Sequence, residues 1–204
     1  MQPDTTTFKV IKNEFGTLLG YDGVRHGMLD ARNNIASPTL RCFALYIDAN
    51  KPEKMLTIGG GACILPTWAQ SRGIQSHIVE PASAVLDLAR EHFFFAPNLH
   101  TVFMTTGEAH LTSTDERYDC IVLDAFRSHV QDEFCYSPDG IALCLSRLNV
   151  GGHLLINTYQ SADNRSWQSI SHDLLGFENN VFIRAVQGHE SNMLLFSVRE
   201  AKPG

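Results

Sequence analysis

The rhythm of apolar and polar positions changes near residue 50. Residues 8–30 alternate loosely and are punctuated by Gly16, Gly20, Gly23 and Gly27. Residues 8–11, 17–21 and 25–29 therefore read as short strands joined by glycine turns. Ser37-Pro38 opens a helix, with Ser37 at the cap and Pro38 at the first helical position, where a missing N–H is harmless. Leu40, Phe43, Ala44 and Ile47 recur at helical spacing and predict its buried face. Lys51-Pro52 closes it.

Beyond this point strand and helix patterns alternate. Residues 55–58 form an apolar strand running into Gly59-Gly60-Gly61, followed by a helix through Trp68 to Arg72 that ends at Gly73. Residues 76–79 are the next strand, finishing at Glu80. Pro81 starts a helix over 82–93, with Val85, Leu86, Leu88 and Ala89 inward. A strand at 101–104 and a brief helix at 108–111 precede a strand at 120–123 that ends at Asp124. Ser137-Pro138 opens a helix to Leu148, and Gly151-Gly152 leads into a strand at 153–158. A helix at 167–175 and strands at 181–186 and 193–198 follow.

Strands alternating with helices predict a parallel sheet covered on both faces. The last two strands are joined by about six residues, too few for a parallel crossover, so they must run antiparallel. The expected fold class is α/β: a Rossmann-like seven-stranded mixed sheet with helices on both faces and an antiparallel last strand. A small N-terminal β-rich piece, residues 1–50, precedes the α/β domain at 51–204.

Composition narrows the function. The hydrophobic share of 44% and charged share of 19% are those of a globular chain. A net charge of −6 argues against nonspecific nucleic-acid binding, which relies on Lys and Arg neutralising phosphates, and suits a small cationic ligand better. No apolar stretch is long enough to predict a membrane span, and Met1–Thr7 has no apolar signal-peptide core. The five cysteines form no C-x-x-C pair. They read as reduced thiols of a cytoplasmic protein, and no metal is expected.

Four strand tips carry chemistry. Gly59, Gly60 and Gly61 let a backbone approach a ligand closely before a helix N-terminus. Glu80, nineteen residues beyond Gly61, stands where a carboxylate reaches ribose hydroxyls. Thr106-Gly107-Glu108-Ala109 ends the third strand and offers an acid to an adenine amino group. Asp124 ends the fourth. Each has a plainer reading as well: a tight turn, a carboxylate at a helix start, a strand-end Asp capping a loop. Their convergence on one sheet edge, where open α/β folds bind ligands, favours a site. Ile64 replaces the third glycine of G-x-G-x-x-G, which disfavours a nicotinamide dinucleotide, and no G-K-[ST] follows, which excludes a P-loop. His129, Asp132 and Glu133 follow in a loop over the site. Arg25 and Arg32 could meet a carboxylate, and His26 and His153 read as structural.

The chain resembles the spermidine synthase (polyamine aminopropyltransferase) family, whose sheet is of the class I methyltransferase type. The resemblance lies in Met55-Leu56-Thr57-Ile58-Gly59-Gly60-Gly61, Val79-Glu80-Pro81, Gly107-Glu108-Ala109, residues 118–126 and Leu148-Asn149-Val150-Gly151-Gly152. It implies that Gly59 and Gly61 line the amino-acid end of S-adenosylmethionine or its decarboxylated form, with Gly60 between them also binding the cosubstrate. Glu80 would hold the ribose and Glu108 the adenine, with Gly107 and Ala109 completing the cosubstrate site. It further implies aminopropyl transfer to a polyamine, with Asp124 orienting or deprotonating the amine, in a homodimer. Ala62 stands where the family carries an aspartate that contacts the cosubstrate's amino group, and the acidic pair expected before the first strand of the α/β body is missing. Those departures keep two alternatives open: methyl transfer from S-adenosylmethionine to another acceptor, and a silent nucleoside-binding scaffold.

Overall fold

In the computed structural model, residues 8–21, 24–176, 180–186 and 189–199 are described. Met1–Thr7 and Gly23 lie outside them. The first three strands, β1 (Phe8–Asn13), β2 (Gly16–Tyr21) and β3 (Val24–Asp30), form a separate antiparallel meander. Helix α1 (Pro38–Asn50) begins at Ser37-Pro38 as its sequence dictates, but the Ser37 hydroxyl makes no cap bond. It stops where Lys51 turns left-handed (φ 47°), returning its N–H to the Ile47 carbonyl.

The α/β body then runs β4 (Lys54–Ile58), α2 (Ile64–Gln70), β5 (Gln75–Val79), α3 (Ser83–His92), β6 (Thr101–Phe103), α4 (Gly107–Ser113) and β7 (Tyr118–Leu123). A two-stranded hairpin follows, β8 (Phe126–Arg127) and β9 (Val130–Gln131), then α5 (Pro138–Ser146), β10 (Leu148–Tyr159), α6 (Trp167–Gly176), β11 (Asn180–Val186) and β12 (His189–Val198). The expected seven-stranded sheet is present, in the order β11-β12-β10-β7-β4-β5-β6. Its strands are parallel except β12, which runs antiparallel to both β10 and β11. Strand β10 starts earlier than its apolar run suggests. It passes through a register shift between Leu148 and His153, with Gly151 at φ 79°.

Both faces of the sheet are covered, which explains the near-continuous apolar runs of the central strands. Met55, Cys120, Val122 and Leu155 point to one side and pack with Phe43 and Ile47 of α1 and Ile64 and Leu65 of α2. Leu19 and Leu29 of the small meander join that same cluster, so the N-terminal sheet shares the body's core. Leu56, Ile58, Ile121, Leu123 and Ile156 point to the other side, against Leu111, Ile141, Cys144 and Ile170. The five cysteines are unpaired, and all but Cys42 are buried. His153 is structural as expected: its Nδ1 lies 3.0 Å from the Tyr46 hydroxyl, tying α1 to β10.

One topological feature sets the site. From β4 the chain winds outward through β5 and β6, then returns to place β7 on the other side of β4. Loops leaving β4 and β7 diverge there, which opens a crevice at their carboxyl ends. The residues leaving those strands are Gly59 and Asp124.

Candidate active site at the switch point

The loop after β4 is held between its neighbours. The Gly59 N–H donates to the Val79 carbonyl (3.0 Å), and the Asp124 N–H donates to the Ile58 carbonyl (2.9 Å). Gly59 sits at φ 88°, and a Cβ there would lie 2.3 Å from the Asp124 carbonyl oxygen. Two strand tips thus approach more closely than any side chain would permit. Gly61, also left-handed at φ 50°, is different. Among the described residues a Cβ there would meet only the His26 carbonyl, at 3.4 Å, so its open side faces the crevice.

Glu80 braces this loop. Its Oε2 accepts from the N–H groups of Gly60 (3.0 Å) and Gly61 (3.3 Å), and its Oε1 accepts from Ala82 (3.0 Å). Burial pushes the Glu80 carboxyl above the usual range, while the three backbone donors pull it back. Replacing Glu80 with Gln turns one acceptor oxygen into a donor facing an N–H. We expect Glu80→Gln to destabilise the protein by about 1–3 kcal/mol, read as a lowered urea midpoint.

A cleft of about 330 Å³ opens beside the loop. Gly59, Gly60, Gly61 and Asp124 line it. Strand β3 forms its roof through Arg25, His26 and Gly27, and the start of α1 adds Ser37 and Thr39. The roof is pressed onto the glycine loop: a Cβ on Gly27 would lie 2.9 Å from the Ala62 methyl. Ala62 itself is buried. The cleft wall includes Thr57 Oγ1 and His26 Nε2, buried polar atoms without a hydrogen-bond partner among the described residues. Burial lowers the His26 pKa, which favours the neutral ring.

Among the described cleft-lining residues, Asp124 is the sole carboxylate and Arg25 the sole Lys or Arg. Burial raises the Asp124 carboxyl to about 6, and a hydrogen bond from Asn157 works against that rise. Asn157 Nδ2 donates to Asp124 Oδ1 at 2.8 Å, and Asn192 Nδ2 donates to Asn157 Oδ1 at 3.0 Å.

Glu80, Gly107, Glu108 and Ala109 do not line the cleft. Gly107 is small because it is packed: a Cβ there would lie 2.4 Å from Cys135 Sγ and 2.8 Å from Ile58 Cγ2. Glu108 and Ala109 are exposed in the first turn of α4, which the Thr106 hydroxyl caps by accepting from Ala109 N–H. Of the loop residues, His129 reaches the cleft. Asp132 instead accepts from the Cys135 N–H, and Glu133 is exposed. Asn157, Tyr159 and Asn192 also line the cleft and carry no sequence motif. Among the described residues no group of three or more His, Cys, Asp or Glu could hold a metal ion, and no helix is long and apolar enough to cross a membrane.

No family model matches the chain. A polyamine aminopropyltransferase of Vibrio vulnificus is 29% identical over 119 residues, which is 55% of this chain and 40% of that protein. The match thus spans less than half of that relative's length. A structure described as a probable spermidine synthase from Corynebacterium glutamicum superposes with a TM-score of 0.79 at 18% identity, covering 96% of this chain and 77% of that one. Human methyltransferase-like protein 13, solved in complex with SAH, superposes with a TM-score of 0.61 at 19% identity, covering 81% of this chain and 78% of that one. The chain therefore has the fold shared by spermidine synthases and methyltransferases, and its sequence is similar to an aminopropyltransferase.

Proposed function

We propose that the protein transfers an alkyl group from a sulfonium nucleoside to an amine, with Asp124 receiving the amine's proton. The sequence resemblance favours an aminopropyl group from decarboxylated S-adenosylmethionine and a polyamine acceptor. One observation carries the reading: a half-buried carboxylate of raised pKa sits at the switch-point cleft, directly beside the glycine loop.

The residues fit such a cosubstrate. Gly61 leaves a cradle that a side chain would fill, and the Gly59–Gly61 backbone is braced by Glu80 from behind. When bound, a sulfonium supplies an activated carbon whose leaving thioether is neutral and needs no proton. The protein's part is then alignment and proton removal. Alignment falls to the glycine loop and the β3 roof, which fix one reactant against the other and exclude water. Proton removal falls to Asp124, because an ammonium has no lone pair with which to attack.

A second reading is methyl transfer to a different acceptor. It is favoured by there being a single carboxylate among the described cleft-lining residues, since an extended polyamine calls for an acid at each end and Arg25 lines the same cleft.

The test is calorimetric titration with S-adenosylmethionine, its decarboxylated form and methylthioadenosine, followed by mass spectrometry of products with candidate amines. Preference for the decarboxylated form and an aminopropylated product support the first reading. A methylated product selects the second, and no binding of any nucleoside overturns both. Turnover should also show an acid limb near pH 6, falling about tenfold per pH unit below it as the Asp124 carboxylate gains a proton.

A further inference from the structure

We infer that Asn157 and Asn192 form a two-amide relay that fixes which oxygen of Asp124 meets the acceptor. Asn157 is a positioning residue for the reaction, and Asn192 orients Asn157. The inference rests on the role proposed for Asp124.

The relay follows from donor and acceptor order. Asn157 Nδ2 donates to Asp124 Oδ1, and Asn157 Oδ1 accepts from Asn192 Nδ2. If the Asn157 amide turned over, its oxygen would face a carboxylate oxygen and its nitrogen would face another nitrogen. Asn192 therefore removes the alternative orientation. Asn157 is buried, and its main-chain carbonyl accepts from the Tyr136 hydroxyl at 2.8 Å, so its backbone is pinned as well. With Oδ1 engaged, Asp124 Oδ2 has no hydrogen-bond partner among the described residues. It is the oxygen left for an incoming N–H.

The relay joins strands of different origin. Asp124 leaves β7, Asn157 lies near the end of β10, and Asn192 lies on the antiparallel strand β12. Other ionisable groups surround the carboxylate. The buried Tyr136 phenol senses its charge, and Arg25, His26 and His129 line the same cleft. None of these hydrogen-bonds the Asp124 side chain, so Asn157 is the neighbour whose removal changes it most directly.

The test is a ¹³C NMR titration of the Asp124 carboxyl in the full chain, without ligand, beside pH–rate profiles. Asn157→Ala should move the Asp124 midpoint upward by about one pH unit, because the carboxylate loses a charge-assisted donor. Asn192→Ala should move it in the same direction by less. The double variant should match Asn157→Ala alone, since Asn192 acts only through Asn157. The acid limb of turnover should move by the same amounts, and methylthioadenosine affinity should stay within about threefold. An unmoved midpoint in Asn157→Ala, or full additivity in the double variant, overturns the relay. Should Asn157→Ala fail to fold, Asn192→Ala at the cleft edge and the smaller change Asn157→Ser decide the matter. The titration needs no turnover, so it separates failure of the relay from failure of the proposed reaction.

Discussion

Replacement of Asp124 by Asn should lower turnover by about 10²–10⁴-fold and stabilise the protein at the same time. The two effects have one origin. The carboxyl is raised from 3.8 to about 6 because ionising it at the cleft wall costs solvation that a single amide hydrogen bond does not restore. The folded state thus holds this proton more tightly than the unfolded chain does. That preference favours folding in full below about pH 4 and is lost as pH rises through 6. At pH 7 the anion therefore opposes folding, by at most about 3 kcal/mol for a difference of this size. The substituted amide has no charge to bury, and its oxygen can still accept from Asn157. Thermal melts at pH 7 should show the variant several degrees more stable, with the difference vanishing near pH 4. Equal melting temperatures at both pH values would mean that the carboxyl is not strained in the folded state. Unchanged turnover would remove Asp124 from the reaction.

The glycine loop offers the second large effect, and a contrast inside it. Gly59→Ala should destabilise the protein by about 3–5 kcal/mol, combining a left-handed backbone with overpacking. The atoms an added methyl would strike are the Asp124 carbonyl oxygen at 2.3 Å, its carbon at 2.7 Å and the Ala125 Cα at 2.9 Å. All are backbone, so none can turn aside. Gly61→Ala should cost only about 1–2 kcal/mol, the penalty of a left-handed residue, because the added methyl meets the His26 carbonyl at an ordinary 3.4 Å. Its methyl would instead enter the cleft proposed to hold the nucleoside. Urea unfolding with nucleoside calorimetry separates the two: Gly59→Ala loses stability first, and Gly61→Ala loses affinity by about tenfold or more with stability nearly kept. Similar losses in both assays for both variants would refute this division of labour.

The sequence marks what local rules control. Strand tips are legible because a short apolar run ending in Gly, Glu or Asp before a helix has few other meanings, and that pattern places Gly59, Glu80 and Asp124 at one sheet edge. Glu80 also shows where such reading stops. Its position is as expected, while the bonds its carboxylate accepts from the N–H groups of Gly60, Gly61 and Ala82 are a geometry set by how two loops pack. Gly107 is crowded by Cys135 and Ile58 on the side a Cβ would occupy, a packing constraint that no local motif announces. Asn157 and Asn192 could not be singled out in advance. Each is an ordinary polar residue in a strand, and only the pairing of β10 with β12 brings them together. The hairpin of β8 and β9, two residues to a strand, is too short for a periodic signal. The roof over Gly61 likewise depends on Gly27 meeting Ala62, a contact between residues far apart in the chain.

The position of β12 has a consequence for the order of assembly. It is made after β11, yet it lies between β11 and β10. A growing chain therefore cannot complete the sheet in the sequence in which it is synthesised. It must leave a one-strand gap, or hold β11 aside, until β12 arrives to fill it. Because β12 supplies Asn192 while β3 supplies the roof, the cleft exists as a whole only after that late insertion. A formed cleft is therefore also a report that β12 has found its slot between β11 and β10.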